Sequence, residues 1–301
     1  MKRRLLLILF LFATISNFAQ NHWISYPDAD DSSQVWFRRA FISSRVEKAW
    51  LNVATTGLVK IYVNGMNVST AVFEPIRETK DSEPVAMNID ISNYIRPDTN
   101  VIALWYSPIQ KETVKPQVAV EFYGTRSYEQ HFSFTSDGSW LCRKAPVEIN
   151  SRGGEDIDGT KDFTEWKNDG LDLALWQTSE DTLGSAIFKA YNEGSAHEAY
   201  KITHIRSPKF FDVQGDSTIY DFGTAFIGWV RVTLRGTRKG EEINFGPMKY
   251  ICNGKIDEQA CQKFMINSYR RMIVFGDKNF RREQISKVEG IEICPQLIMP
   301  Y

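Results

Sequence analysis

Apolar and polar positions alternate in short runs along most of this chain, and turn residues interrupt them at close intervals. In LVKIYVNGMNV (58–68), Val59, Ile61 and Val63 fall on one side and Lys60, Tyr62 and Asn64 on the other, the period-two pattern of a half-buried strand. Asn64-Gly65 closes that run; both residue types accept positive φ, so a tight hairpin is expected. PQVAVEFYG repeats the alternation with Val118, Val120 and Phe122 on one face. VWFRRAFI (35–42) mixes aromatics with arginines, and VIALWYS (101–107) is apolar on both sides, which predicts a strand deep in a sandwich. Residues 150–185 break the rhythm: they are acidic, loop-like and dotted with Gly and Trp. Residues 179–199 offer room for one short helix, weakened by two glycines, and a domain joint is expected there. From about 200 the strand signals return in STIYDFG, GWVRVTLRG, EEINFGPM and RRMIVFG. In the second of these Val230, Val232 and Leu234 are expected to point inward, and Arg231, Thr233 and Arg235 outward. The pattern predicts an all-β protein of two jelly-roll-like β-sandwich domains, over 20–190 and 191–301.

The N-terminus adds a compartment. Lys2, Arg3 and Arg4 precede an apolar run from Leu5 to Phe12, and Asn17-Phe18-Ala19 before Gln20 has the character of a cleavage site. The run is too short to span a bilayer, so residues 1–19 are expected to be a cleaved signal peptide. The mature protein is then expected in the periplasm or outside the cell, with no membrane association. Net charge is −1 with both signs interspersed; neither a nucleic-acid partner nor a membrane surface is indicated. Aromatics make up 13%, with 8 Trp, which suits both sandwich cores and sugar stacking. Of four cysteines, Cys252 and Cys261 flank CNGKIDEQAC and read either as a disulfide across a hairpin or as two buried free thiols. Zinc spacing, nucleophile elbows, phosphate loops and dinucleotide fingerprints are missing from the sequence.

Six weak motifs occur in one order: KIYVNGMNV with NIDISNYIRPDTNVIALWY, then TSDGSW, GGEDIDGTKDF, LDLALW, YDFGTAFIGWVRVTLRG and the NGKIDEQ turn. This succession, over about residues 30 to 294, resembles the N-terminal β-sandwich domains of bacterial α-L-rhamnosidases, the second half being similar to the family's concanavalin-like sandwich. In that family the catalytic carboxylates lie on a helical toroid that follows the sandwiches, and this chain ends at ICPQLIMPY, where the toroid would begin. No catalytic residue is therefore carried over, and kinship with a hydrolase is weak evidence for hydrolysis. The resemblance implies an accessory, non-catalytic protein of polysaccharide degradation that binds carbohydrate, a rhamnose-containing glycan among them. The alternative is one piece of a split rhamnosidase whose catalytic subunit is a separate polypeptide.

Three places invite chemistry. Glu155, Asp156 and Asp158 put three carboxylates in a Gly-flanked turn; calcium favours such oxygens at about 2.3–2.6 Å, and the resemblance implies Ca²⁺-assisted rhamnose binding in this region. A solvated acidic turn is the plainer reading. Trp140, Trp166 and Trp176 lie near that loop. Trp140 and Trp176 suit a core cap, whereas Trp166, in FTEWKNDG, has the most polar surroundings and is the expected sugar-stacking platform. Carbohydrate contacts are thus expected from Trp166, Trp140, Glu155 and Asp156. Gly228-Trp229 reads either as a ligand platform or, as the favoured reading, as a strand-start glycine beside an indole that plugs a seam.

Overall fold

The computed structural model describes residues 22–69, 71–75, 85–109, 116–161, 164–183 and 197–298. The expected signal peptide and the expected domain boundary at 190/191 lie outside these residues, as does the middle of the stretch considered for a short helix. What is described at the ends of that stretch is strand.

The first half supplies β1 (His22–Ser25), β2 (Ser33–Ile42), β3 (Val46–Thr55), β4 (Leu58–Val63), β5 (Met66–Asn67), β6 (Val85–Asp90), β7 (Thr99–Ser107), β8 (Gln117–Arg126), β9 (Gln130–Thr135), β10 (Leu141–Ile149), β11 (Glu155–Asp158), β12 (Gln177–Thr178) and β13 (Glu180–Leu183). The second half supplies β14 (His197–Arg206), β15 (Phe210–Gln214), β16 (Ser217–Leu234), β17 (Glu242–Phe245), β18 (Met248–Ile251), β19 (Glu258–Ala260), β20 (Asn267–Gly276) and β21 (Ile285–Ile298). The protein is all-β, as its alternation predicts.

One sheet runs β13-β1-β8-β3-β6 with β9 on β8. It faces β10-β2-β7-β4-β5, and the two close over Phe37, Leu51, Val53, Ile61, Leu104 and Val120, all buried. The alternating residues Val59, Ile61 and Val63 point into this core. Asn64 (φ 51°) and Gly65 (φ 81°) form the hairpin between β4 and β5, with Val63 opposite Met66.

The two halves are joined through a pair of strands. β11 pairs in parallel with β18, Ile157 opposite Tyr250, so the second sheet continues through β18-β17-β20-β16-β21-β14, with β15 and β19 on β16. The two halves share one sheet. The back face of β2 and β7 carries Trp36, Ala103 and Trp105, which pack into a second core with Phe226, Trp229, Val230, Phe245, Phe264 and Met272. This explains VIALWYS: Ile102 and Leu104 enter one core, Ala103 and Trp105 the other. β16 is a single strand of 18 residues with a register shift between Asp221 and Phe226. Within it Val230, Val232 and Leu234 are buried and Arg231 and Thr233 half-buried, as the alternation requires.

Candidate functional site

A cleft of about 710 Å³ opens where β10 and β11 meet the loop over 164–176. Strand alternation decides which acidic residues reach it. Glu155 turns inward and is kept from the cleft, while Asp156 and Asp158 line it on either side of Ile157. Trp36, Trp166 and Trp176 line its apolar part, and Lys144, Glu148, Lys161 and Lys249 its polar part. Burial opposes the charge of Lys144, yet Glu148 at 2.8 Å and Asp30 raise its pKa above the ordinary lysine value.

Trp166 is not the open platform its neighbours suggest. It is the buried residue of a 3-10 turn, Glu165–Lys167, and is 3% exposed. Its ring lies parallel to Trp36 at 4.9 Å and meets the edge of Tyr62 at 5.4 Å. Glu165 faces outward and Lys167 is half-buried, its ammonium 4.5 Å from the centre of the Tyr62 ring; their charges made the local sequence look polar. Trp140 is a core residue of the first sandwich and does not line the cleft. Trp176, expected as a core cap, is the half-buried indole at the cleft, 6.5 Å from Trp36. Its ring N–H is buried and makes no hydrogen bond.

Arg38 holds this loop from below. It is 3% exposed, donates from Nη2 to the Asn168 carbonyl at 2.7 Å, and stands 5.7 Å from the centre of the Trp176 ring. Burial lowers its pKa, with Asp169 opposing. The paired arginines of VWFRRAFI contain the signal for it: in a strand, Arg38 shares a face with Trp36 and Arg39 takes the other.

The three carboxylates do not gather at one point. Glu155 is fully buried and accepts hydrogen bonds from Gln34 Nε2 at 2.6 Å, the Phe264 N–H at 2.9 Å, the Met265 N–H at 3.3 Å and the Lys263 N–H. That is a cradle for an anion, and it fastens β11 to the second half. Asp156 accepts from Asn150 Nδ2 at 2.7 Å and Arg152 Nη2 at 3.0 Å. Asp158 accepts from the Thr160 N–H at 3.0 Å and Oγ1 at 2.5 Å. Both oxygens of Glu155 and one oxygen each of Asp156 and Asp158 thus already accept from protein donors. Among the described residues no three His, Cys, Asp or Glu side chains gather to hold a metal.

Cys252 and Cys261 are both free thiols. Cys252 follows β18, which pairs with β17 and β11, whereas Cys261 follows β19, which pairs with β16. The intervening turn crosses between strands rather than closing a hairpin. Buried Glu258 sits inside it, accepting from Tyr250 Oη at 3.1 Å and the Asn253 N–H at 2.7 Å. Gly228 and Trp229 are structural: a Cβ at Gly228 would lie 1.9 Å from the Ile291 carbonyl oxygen, and buried Trp229 stacks near Phe73 across the seam at 6.0 Å.

The comparisons with known proteins agree with this architecture. The chain belongs to the α-L-rhamnosidase N-terminal domain family, whose model matches residues 44–203. A curated α-L-rhamnosidase of Formosa agariphila is 20% identical over 208 residues, which is 64% of this chain and 22% of that protein. Among solved structures, the α-L-rhamnosidase of Dictyoglumus thermophilum superposes with a TM-score of 0.76 at 20% identity, over 92% of this chain and 36% of that one. The Aspergillus terreus enzyme gives 0.77 at 16% identity, over 93% and 36%. The Streptomyces avermitilis enzyme, solved with L-rhamnose, gives 0.73 at 15% identity, over 87% and 28%. At these identities the structures share a fold. The chain spans about a fifth of the curated relative's length and about a third of the first two solved enzymes.

Proposed function

We propose that this is an exported glycan-binding module of polysaccharide degradation, and that the cleft at Trp176 holds the sugar. The observation that carries this reading is the half-buried Trp176 indole beside a cleft lined by Asp156, Asp158, Lys144 and Lys161. A sugar ring presents a C–H face to an indole and hydroxyls to ammonium and carboxylate groups. Titration calorimetry with L-rhamnose and rhamnose-containing oligosaccharides tests it. The expected result is measurable heat that Trp176→Ala weakens about tenfold, or ~1.4 kcal/mol. Because no three possible metal ligands gather among the described residues, a chelator should leave that heat unchanged. Silence from the folded protein, or equal binding by Trp176→Ala, overturns the reading. Export is tested by sequencing the N-terminus of the secreted protein, expected to begin at Gln20.

A second reading rests on a different surface. Every residue of β15 is exposed, Phe210 at 56%, Phe211 at 57% and Val213 at 48%, and Ile273 and Phe275 of β20 are exposed as well. Large apolar exposure on a sheet edge marks a protein contact, and a separate catalytic subunit would use it. This reading predicts no release of rhamnose from an aryl α-L-rhamnoside by the chain alone, and release once a catalytic polypeptide is bound. Release by the chain alone sinks it.

A further inference from the structure

The seam between the two halves holds a lysine among aromatic rings. Lys60 lies on β4 opposite Trp105 of β7, which in turn stands opposite Trp36 of β2. Strand alternation turns Lys60 and Tyr62 to the back face of the first sandwich, while Val59, Ile61 and Val63 fill its core. On that back face the Lys60 ammonium meets Phe264, which the second half supplies. It stands 4.9 Å from the centre of the Phe264 ring and 5.5 Å from that of Trp105. The two rings meet edge to face, 5.7 Å apart. Ring faces attract a cation but offer it no carboxylate or carbonyl acceptor, and among the described residues no carboxylate pairs with Lys60.

The charges around it favour the neutral amine. Lys263 precedes Phe264 in the chain, and Lys167 reaches over the neighbouring Tyr62 ring at 4.5 Å. Glu155 opposes these cations, but its oxygens accept from Gln34 and from the N–H groups of residues 263–265. Cys261 supplies no thiolate, since burial pushes its thiol up to about 12. Burial first, and Lys263 next, lower the Lys60 pKa from 10.5 to about 8, with Glu155 opposing. An apolar surround and a second cation are the two devices that make a lysine nucleophilic near neutral pH. Lys60 has both, and it is half-buried rather than sealed.

We propose that Lys60 is a site of covalent modification by small aldehydes, which it takes up as an imine. The Nζ lone pair attacks the carbonyl carbon; the C–N bond forms as the C=O π pair moves to oxygen, which takes up a proton as nitrogen loses one. The carbinolamine then loses its hydroxyl and the remaining N–H proton as water, leaving C=N. Amine and aldehyde give imine and water, with no oxidant or reductant. An imine is a weaker base than an amine, so the adduct sets a neutral group against the rings, which burial favours. At pH 7 the neutral fraction of an amine with a pKa of about 8 exceeds that of one at 10.5 about 300-fold. Partial cover by Phe264 and Trp105 restricts the reagent to small members of the class, such as formaldehyde and the two-carbon hydroxyaldehyde glycolaldehyde. The site is separate from the cleft at Trp176, whose lining does not include Lys60.

Reductive labelling of the whole chain tests the proposal. Limiting formaldehyde is added with cyanoborohydride, which traps the imine as a methylamine, at pH 7 and at pH 10, and the labelled lysines are read by peptide mass spectrometry. At pH 7 Lys60 should label about tenfold faster or more than the exposed Lys48, Lys239 and Lys255, its lower basicity and partial cover taking up the rest of the difference in neutral fraction. At pH 10 that advantage should fall to about threefold or less, because ordinary lysines are then partly neutral as well. Glycolaldehyde should follow the same order. Lys263→Gln removes the neighbouring cation, keeps the backbone N–H that Glu155 binds, and should cut the advantage at pH 7 severalfold. Lys60→Arg should remove the leading label. The wild-type comparison decides the matter even if either variant folds poorly. Labelling of Lys60 no faster than the exposed lysines at pH 7, or an advantage that is equal at pH 7 and pH 10, overturns the proposal.

Discussion

Glu155 and Asp156 are adjacent in sequence and opposite in role. Strand alternation sends one into a cradle of backbone N–H groups and the other to the cleft. The sequence shows a cluster of negative charge, but not that Glu155's donors come from residues 263–265, more than a hundred positions away. Glu155→Gln turns an N–H₂ group toward those donors, and should cost about 2–3 kcal/mol in urea unfolding; Asp156→Asn, still able to accept, should cost far less. Lys60 offers a second residue-scale test. Its ammonium packs 4.9 Å from the centre of the Phe264 ring and 5.5 Å from that of Trp105. Burial, and then the nearby Lys263, lower its pKa from 10.5 to about 8. Between those values the unfolded chain binds more protons than the folded one, so this group makes stability rise with pH from about 8 to 10.5. Lys60→Met should remove that rise and be more stable than wild type at pH 7, as read from melting temperatures across the range.

At the scale of elements, the alternating strands and the Asn64-Gly65 hairpin were legible because period two and positive φ are local properties. The tryptophans were not. Trp166 stands among polar residues and is covered, Trp176 follows Leu173 and Leu175 and is at the cleft; the stacking on Trp36, not the local sequence, sets which ring is covered. The turn from Cys252 to Cys261 misleads for the same reason: it resembles a hairpin until the partners of β18 and β19 are known. Burial pushes both thiols up to about 12. Alkylation followed by mass spectrometry should find them reduced, with exposed Cys294 labelled first in the native protein. At the close approach of β16 to β21, Gly228 has φ 152° and no room for a methyl group. Gly228→Ala should cost about 3 kcal/mol, measured by denaturant unfolding.

The whole molecule was legible as all-β and as rhamnosidase-like, but the tie between its halves was not. The acidic stretch over 150–185 reads as loop, yet β11 within it hydrogen-bonds to both halves and Glu155 ties them again. Long-range pairing leaves no local mark on a four-residue strand. Calorimetry should therefore show one unfolding transition, with Glu155→Gln shifting the whole peak rather than splitting it. Two resolved peaks would mean that the halves melt independently.

The central strands β2 and β7 answer to two cores at once. From Val35 to Arg38 in β2, and from Asn100 to Ser107 in β7, no side chain has a solvent face on which a change of size or polarity is free; β2 opens to solvent only at its end, where Ile42 is exposed. In a saturation library selected for folding, β7 should tolerate substitution at fewer positions than β3 or β8, although all three belong to the same sandwich. Sequence change that keeps the fold would therefore find its freedom on the outer sheet and the cleft loop, and meet its barrier in the middle wall.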